Sequence, residues 1–192
     1  MAIGVGVIGA GTVGGGVIKT LRESAERITR HAGVEVALTH VADLRPDLEQ
    51  AFDLSGVTVS RDAAALVDDP NVHVVCELIG GVEPAKKFIL KALGAGKHVV
   101  TANKMLLAKH GPELCEAAIK GGAELRFELR MRIGGEYRQM VMSLDGVPGQ
   151  HAFHRPHGLH GRLEMRRITE QEKRERACAH ETFLVWWDCM CA

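Results

Sequence analysis

A cluster of glycines, VIGAGTVGGG, occupies residues 7–16 and is compatible with few folds. The short apolar run at residues 2–8 predicts a strand that ends in this cluster. The glycines follow the spacing GxGxxG, in which Gly9 permits a tight turn, Gly11 lets the backbone approach a ligand, and Gly14 allows the next helix to pack closely on the strand. A strand, a glycine turn and a helix in this order predict a pyrophosphate site at the helix N-terminus, and hence a bound dinucleotide.

Segments of strand character alternate with helical segments over the first two thirds of the chain. We predict further strands at residues 34–43, 72–81, 97–104 and 123–128, and helices at residues 12–31, 62–67, 84–93 and 104–120. Near-continuous apolar strands indicate a parallel sheet that is covered by helices on both faces. The pattern predicts an α/β fold of the Rossmann type, with a doubly wound, mostly parallel sheet that binds its ligand at the carboxyl ends of the strands.

An acidic residue ends the second predicted strand, where dinucleotide-binding domains distinguish NAD from NADP. This residue, Asp43, lies further from the glycines than usual because the intervening helix is long. Its carboxylate favours NAD by hydrogen bonding to the adenosine ribose, whereas nearby Arg45 favours NADP by pairing with the 2′-phosphate. The sequence leaves this choice open, together with the alternative that Asp43 only caps a turn before Pro46.

Two more motifs stand at predicted strand ends, ELIGGVEP at residues 77–84 and TANK at residues 101–104. The glycine pair Gly80 and Gly81 would let the backbone reach a flat nicotinamide ring. The second motif adds the polar side chains of Thr101, Asn103 and Lys104. Lys104 is a candidate for holding a ribose, a carboxylate or a developing alkoxide, although a lysine that opens a helix is more often a plain surface residue.

The composition indicates a small-molecule partner. Lysine and arginine together number 24 and balance 24 acidic residues, which argues against a nucleic-acid or membrane-surface partner. The beginning of the chain shows no signal-peptide pattern and no window is apolar enough for a membrane span, so we expect a cytoplasmic protein. The odd set of five cysteines fits reduced thiols better than disulfides.

Residue usage changes after Glu128. Residues 1–128 contain six arginines and eight lysines, whereas residues 129–192 contain nine arginines, one lysine and both tryptophans. In this second region only a charged run at residues 162–176 suggests a helix, and that helix would be exposed to solvent. We expect a Rossmann domain at residues 1–128 and a divergent tail at residues 129–192, with disorder of this tail left as an open alternative.

Four stretches of the first region share the motifs of one enzyme family. They are GVIGAGTVGGGVIKTL, DLSGVTV, VVCELIGGVEPAKKFILKALGAGKHVVTANKMLLAKHG and the FE at residues 127–128. Together they resemble the N-terminal cofactor domain of homoserine dehydrogenase, and the resemblance covers residues 2–128. It implies the reduction of L-aspartate 4-semialdehyde to L-homoserine with NADPH or NADH, a step towards threonine, methionine and isoleucine.

The resemblance also implies roles for individual residues. Thr12, Val13 and Gly14 would contact the pyrophosphate, and Lys104 would contact the nicotinamide end and the substrate. The hydride would pass to the aldehyde carbon while a cationic acid delivers the proton. Glu128 matches a glutamate that begins a site for a monovalent cation, sodium or potassium, but the run EASVGGGIP of the family reads ELRMRIGGEY here.

The second region departs from the family. We find no segment that resembles NGTxNYIL, a motif of the substrate and dimerisation domain. We therefore expect that the catalytic half, and with it the homo-oligomerisation of the family, is missing through truncation or a shift of reading frame near residue 128. Histidines at 151, 154, 157 and 160, and a second group at Cys178, His180, Cys189 and Cys191, match no standard metal-binding spacing.

Three functions are compatible with these observations. The first is a homoserine dehydrogenase whose activity is impaired. The second is a non-catalytic protein that senses NADP(H) or docks on a full-length subunit. The third is another oxidoreductase with the same first half, because substrate specificity lies in the region that the resemblance does not cover.

Overall fold

The structure of the chain, a computed structural model, describes residues 2–133, 136–144 and 162–167, and side chains as far as Phe127. The described chain divides into two compact units, one at residues 2–79 and one that begins at Gly80. Each unit contains parallel strands connected through helices. Within the described ranges, no helix combines the length and the apolar character needed to cross a membrane.

The first unit is a four-stranded parallel sheet. Its strands are β1 (Ile3–Ile8), β2 (Val36–Ala42), β3 (Thr58–Ser60) and β4 (Val74–Glu77), and its helices are α1 (Thr12–Glu23), α2 (Ala25–Ala32), α3 (Leu48–Ala51) and α4 (Ala63–Asp68). The strand order is β3, β2, β1, β4, and all neighbours are parallel. Because the chain turns to opposite sides of β1 to form β2 and β4, the carboxyl end of β1 is a topological switch point, where ligands bind in open α/β sheets.

The second unit combines parallel and antiparallel pairs. Its strands are β5 (His98–Thr101), β6 (Leu125–Ile133), β7 (Glu136–Leu144) and β8 (Arg162–Arg167), and its helices are α5 (Glu83–Gly94) and α6 (Lys104–Gly121). Strand β6 is parallel to β5 and antiparallel to β7, which is antiparallel to β8. The end of α6 touches the end of α5, because a Cβ on Gly121 would lie 1.9 Å from the Leu93 carbonyl oxygen.

The predicted Rossmann-type fold is confirmed. Six strands, β1 to β6, form parallel pairs with flanking helices. The predicted helix at residues 12–31 is two helices that meet at Ser24. The helix predicted at residues 162–176 is wrong at its beginning, since Arg162–Arg167 is strand β8. Its sequence RLEMRR alternates charged and apolar residues, a period of two that favours a strand once β7 is available for pairing. Residues 168–176 lie outside the described ranges.

Candidate functional site

The glycine turn joins β1 to α1. Gly9 has a φ of 90°, which glycine adopts without strain, and its N–H donates to the Ala42 carbonyl oxygen at 2.8 Å. A Cβ on Gly14 would lie 1.8 Å from the Gly9 carbonyl oxygen, whereas a Cβ on Gly11 would meet nothing within 4 Å. Gly9 and Gly14 are therefore required by the fold of the turn itself, while Gly11 faces open space.

The first turn of α1 presents backbone N–H groups. Gly11 is the N-cap residue and has no side chain that could accept from them. The first N–H that bonds within the turn is that of Gly15, which donates to the Gly11 carbonyl oxygen at 2.7 Å. The preceding amides, those of Thr12, Val13 and Gly14, point beyond the start of the helix, where the positive end of the helix dipole also lies. This arrangement suits an anion such as a pyrophosphate.

Asp43 follows β2 and turns back towards the glycine turn. Its Oδ2 accepts from the N–H of Ala10 at 2.5 Å, and its Oδ1 accepts from the N–H of Arg45 at 2.8 Å. The side chain is only 12% exposed. Burial raises the pKa of Asp43, but the two backbone hydrogen bonds and the Arg45 guanidinium together outweigh it and hold the pKa below its ordinary value. The carboxylate is therefore ionised at neutral pH and engaged by the protein.

Arg45 contacts the same residue, Ala10. Its Nη2 donates to the Ala10 carbonyl oxygen, and its Nε lies 3.4 Å from Asp43 Oδ1. The guanidinium carbon lies 6.0 Å from the centroid of the Phe52 ring, within the range of a cation–π contact. A guanidinium has five N–H donors, and this side chain is 42% exposed, so it retains donors for an anion from solution.

Three residues of this site were not expected from the sequence. Ala10 contributes its backbone, Phe52 contributes its ring, and Leu44 is an apolar side chain that is 72% exposed beside Asp43. Of these three residues, only Leu44 could have been found from the sequence, because it is an apolar residue between the acidic Asp43 and the basic Arg45. The Phe52 contact depends on the path of the chain after β2, which no local pattern encodes.

The second unit contains the other predicted motifs. Gly80 and Gly81 have φ values of 74° and 75°, a pair of left-handed residues that glycine accommodates without strain. Asn103 is the N-cap of α6: its Oδ1 accepts from the Leu106 N–H at 3.1 Å, and its Nδ2 donates to the Gly81 carbonyl oxygen. One side chain therefore connects the glycine pair to the start of α6.

The remaining predicted residues of this unit flank Asn103 or lie in β6. Thr101 is buried, and its Oγ1 accepts from the Asn103 N–H at 3.0 Å. Lys104 is exposed and is the first residue of α6. Glu128 lies in β6 opposite Val141, and its side chain falls outside the described part of the structure. The cation site expected at Glu128 stays a prediction.

Metal ligands do not cluster in the described part of the chain. Within residues 2–133, 136–144 and 162–167, no group of three histidine, cysteine, aspartate or glutamate side chains could hold a metal ion. The histidines at 151–160 and the cysteines at 178, 189 and 191 lie outside these ranges.

Comparisons with known proteins agree with this geometry. The sequence model of the family described as "Homoserine dehydrogenase, NAD binding domain" matches residues 9–128. The chain is 47% identical over 106 residues to a homoserine dehydrogenase of Methylobacillus glycogenes and 39% identical over 127 residues to one of Bacillus subtilis. The two matches cover 55% and 66% of this chain, and 26% and 29% of the relatives.

A solved structure gives the same result. The crystal structure of a homoserine dehydrogenase from Thiobacillus denitrificans matches with a TM-score of 0.59 and 45% identity, and the match covers 64% of this chain and 28% of that one. The matches thus span less than a third of the length of each of these relatives. Since the family model matches well over half of the 192 residues, the chain belongs to the homoserine dehydrogenase family through its NAD-binding domain.

Proposed function

We propose that this chain binds NADP(H) and serves the reduction of L-aspartate 4-semialdehyde to L-homoserine. Family membership supports the reaction class. The observation that carries the proposal is the start of α1, where the N–H groups of Thr12, Val13 and Gly14 are presented beside the open space at Gly11. These groups fit a pyrophosphate, because a residue with a side chain at position 11 would fill the space through which a phosphate approaches.

The proposed chemistry assigns one task to each part of the chain. When bound, the nicotinamide would supply the hydride that reduces the aldehyde. Gly80 and Gly81 would offer backbone to the nicotinamide ring. The exposed Lys104 ammonium would donate a hydrogen bond from Nζ to the carbonyl oxygen of the substrate and so stabilise the negative charge that develops there.

We further propose a preference for NADP(H) over NAD(H), because Arg45 is accessible and Asp43 is not. Both carboxylate oxygens of Asp43 accept backbone N–H groups, and the side chain is largely covered. Arg45 retains donors and is 42% exposed at the carboxyl end of β2, where the 2′-phosphate is read in Rossmann domains. Arginine is the usual partner of such phosphates.

The variant Arg45→Gln tests this preference. A hydrogen bond to a charged group contributes about 1.5–3 kcal/mol, so NADPH affinity should fall by roughly ten- to a hundredfold. NADH affinity should fall less, because NADH loses only the support that Arg45 gives to Ala10 of the turn. Arg22→Gln is the matched control, since Arg22 pairs with Asp53 at the opposite end of α1. Fluorescence titrations with NADPH and NADH give the two dissociation constants, and from them the NADPH to NADH affinity ratio. If this ratio is unchanged in Arg45→Gln, Arg45 does not bind the 2′-phosphate.

Turnover distinguishes the enzyme from a non-catalytic binder. The full chain is incubated with L-homoserine and NADP, and the formation of NADPH is followed at 340 nm. Turnover that is lost in Lys104→Ala supports the catalytic proposal. NADPH binding without turnover favours the non-catalytic alternative, in which the chain senses the cofactor or docks on a full-length subunit.

The boundary near residue 128 belongs to the same proposal. We propose that residues 1–128 form the cofactor-binding domain and that residues 129–192 stand in place of the substrate and dimerisation domain. Reading the gene in all three frames from codon 128 onward tests this, because motifs resembling GGGIP and NGTxNYIL in another frame would identify the second region as a frameshift product.

A further inference from the structure

We propose that Asp43 is a positioning residue for NADP(H) and not a ligand of the ribose: it fixes the glycine turn and Arg45 in one arrangement. The inference rests on the proposed reading of the 2′-phosphate by Arg45. It reverses the usual expectation for an acid after the second strand, which is that the acid selects NAD.

The two side chains hold the two peptide groups that flank the Cα of one residue, Ala10. Asp43 accepts from the N–H of Ala10 at 2.5 Å, and Arg45 donates to the carbonyl oxygen of Ala10. Ala10 itself is 1% exposed and lies between Gly9 and Gly11 of the turn. The position of the turn, and with it the start of α1, therefore depends on the Asp43 and Arg45 pair.

Arg45 is fixed at several points. The Asp43 carboxylate lies 3.4 Å from its Nε and also accepts its backbone N–H. The centroid of the Phe52 ring lies 6.0 Å from the guanidinium carbon. The same ring packs on α1, where a Cβ on Gly15 would come within 2.8 Å of Phe52 Cζ. A guanidinium fixed in this way presents its remaining donors in a defined direction, which favours bidentate phosphate binding.

The Asp43 carboxylate is itself engaged by the protein. Each oxygen of Asp43 already accepts a backbone N–H, and the charge is paired with Arg45. A ribose-binding acid instead directs its oxygens at the ribose hydroxyls of the cofactor. Removal of this carboxylate would leave the Ala10 N–H without its acceptor and would release Arg45 from its partner. Because Arg45 is the proposed partner of the 2′-phosphate, the affinity for NADP(H) should fall more than the affinity for NAD(H).

The test is the substitution Asp43→Asn, which keeps the shape of the side chain and removes its charge. We expect NADPH affinity to fall by about tenfold or more, since a charged acceptor is lost, and NADH affinity to fall less, so that the NADPH to NADH affinity ratio decreases. If Asp43 binds the ribose, the same substitution weakens NADH and the ratio increases. An increased or unchanged ratio overturns the proposal.

A double-mutant cycle separates positioning from a general loss of stability. If Asp43 acts through Arg45, Asp43→Asn should leave the ratio unchanged in an Arg45→Gln background, whereas independent effects would add. Asp53→Asn is the matched control. Asp53 also accepts from the N–H two residues later, that of Ser55 at 3.1 Å, and also pairs with an arginine, Arg22 at 2.9 Å. The NADPH to NADH affinity ratio of Asp53→Asn should equal that of the unsubstituted chain.

The same titrations distinguish failure of the proposed function from failure of the proposed role of Asp43. Failure of the unsubstituted chain to bind NADPH contradicts the proposed function. A ratio that falls in Arg45→Gln but not in Asp43→Asn contradicts only the role of Asp43. If Asp43→Asn does not fold, as judged by circular dichroism, Asp43→Ser supplies the same comparison, because its hydroxyl can accept one of the two N–H groups.

Discussion

Two glycines of one turn should differ in how far the same substitution destabilises the chain. In Gly14→Ala, the new Cβ would lie 1.8 Å from a backbone oxygen, so the turn must shift, and we expect a loss of about 1–3 kcal/mol in the free energy of unfolding. In Gly11→Ala, the Cβ meets open space and φ is −62°, which alanine adopts, so stability should change by less than about 0.5 kcal/mol.

Cofactor binding should separate the same two variants. Gly11→Ala should weaken NADPH binding by about tenfold or more, because its Cβ occupies the approach to the α1 amides. Urea unfolding and NADPH titration of both variants provide the measurements. Gly11→Ala with unchanged NADPH affinity would show that the open space at this residue is not where the pyrophosphate lies.

The two described cysteines should be unreactive in the folded chain. Burial raises the pKa of the Cys76 thiol to about 12 and that of Cys115 to about 11, so neither forms much thiolate at neutral pH. Iodoacetamide at about pH 8, close to the ordinary thiol pKa, should modify neither residue before denaturant is added, as peptide mass spectrometry would show. Rapid labelling of Cys76 in the native chain would mean that β4 opens.

At the scale of the elements, Asn103 should have two separable roles. Asn103→Asp keeps the acceptor for the Leu106 N–H but loses the donor to the Gly81 carbonyl oxygen. We expect its melting temperature to stay near that of the unsubstituted chain, while NADPH binds more weakly. Binding of adenosine 2′,5′-bisphosphate, which lacks the nicotinamide, should not change.

Asn103→Ala is the control for this prediction. It loses the cap as well, which typically costs about 1 kcal/mol of stability. Equal NADPH affinities in the unsubstituted chain and in Asn103→Asp would show that the link to Gly81 has no part in cofactor binding.

The elements also show what could be predicted from the sequence. The long helices and the apolar strands were predicted because their periodicity extends over many residues. Strand β3 and helix α3 were not, because three and four residues are too few for a period. The glycine turn was predicted from its spacing together with the strand before it and the helix after it. The contacts of Asp43 with Ala10 and of Arg45 with Phe52 join distant parts of the chain and needed the fold.

At the scale of the whole molecule, acid should destabilise the chain through its paired carboxylates. Asp69 is an example. Burial raises its pKa, but hydrogen bonds from Asn71 and from His40 outweigh the burial and hold the pKa below its ordinary value. His40 also contacts Ser60 at 3.0 Å, so this network connects β2, β3 and the end of α4.

The sign of the pH effect follows from the direction of the shift. Because the unfolded chain takes up the proton at a higher pH than the folded chain, stability is present at neutral pH and is lost below about pH 5. Asp69→Asn should cost about 1 kcal/mol at pH 7 and give a shallower decline in acid. Urea midpoints from pH 7 to pH 3 test this, with Asp47→Asn, an exposed carboxyl in the loop before α3, as control. Parallel declines would contradict the assignment.

Because Arg45 makes several contacts in the folded chain, its side chain loses rotamer entropy when the protein folds and has less to lose when a cofactor binds. A free arginine side chain carries about 2 kcal/mol of rotamer entropy. In this chain, its partners restrict those torsions when the protein folds. Calorimetry should therefore show a smaller entropic penalty for NADPH binding than for binding to an arginine on an unsupported loop. The corresponding entropy cost lowers the free energy of unfolding and does not weaken the complex.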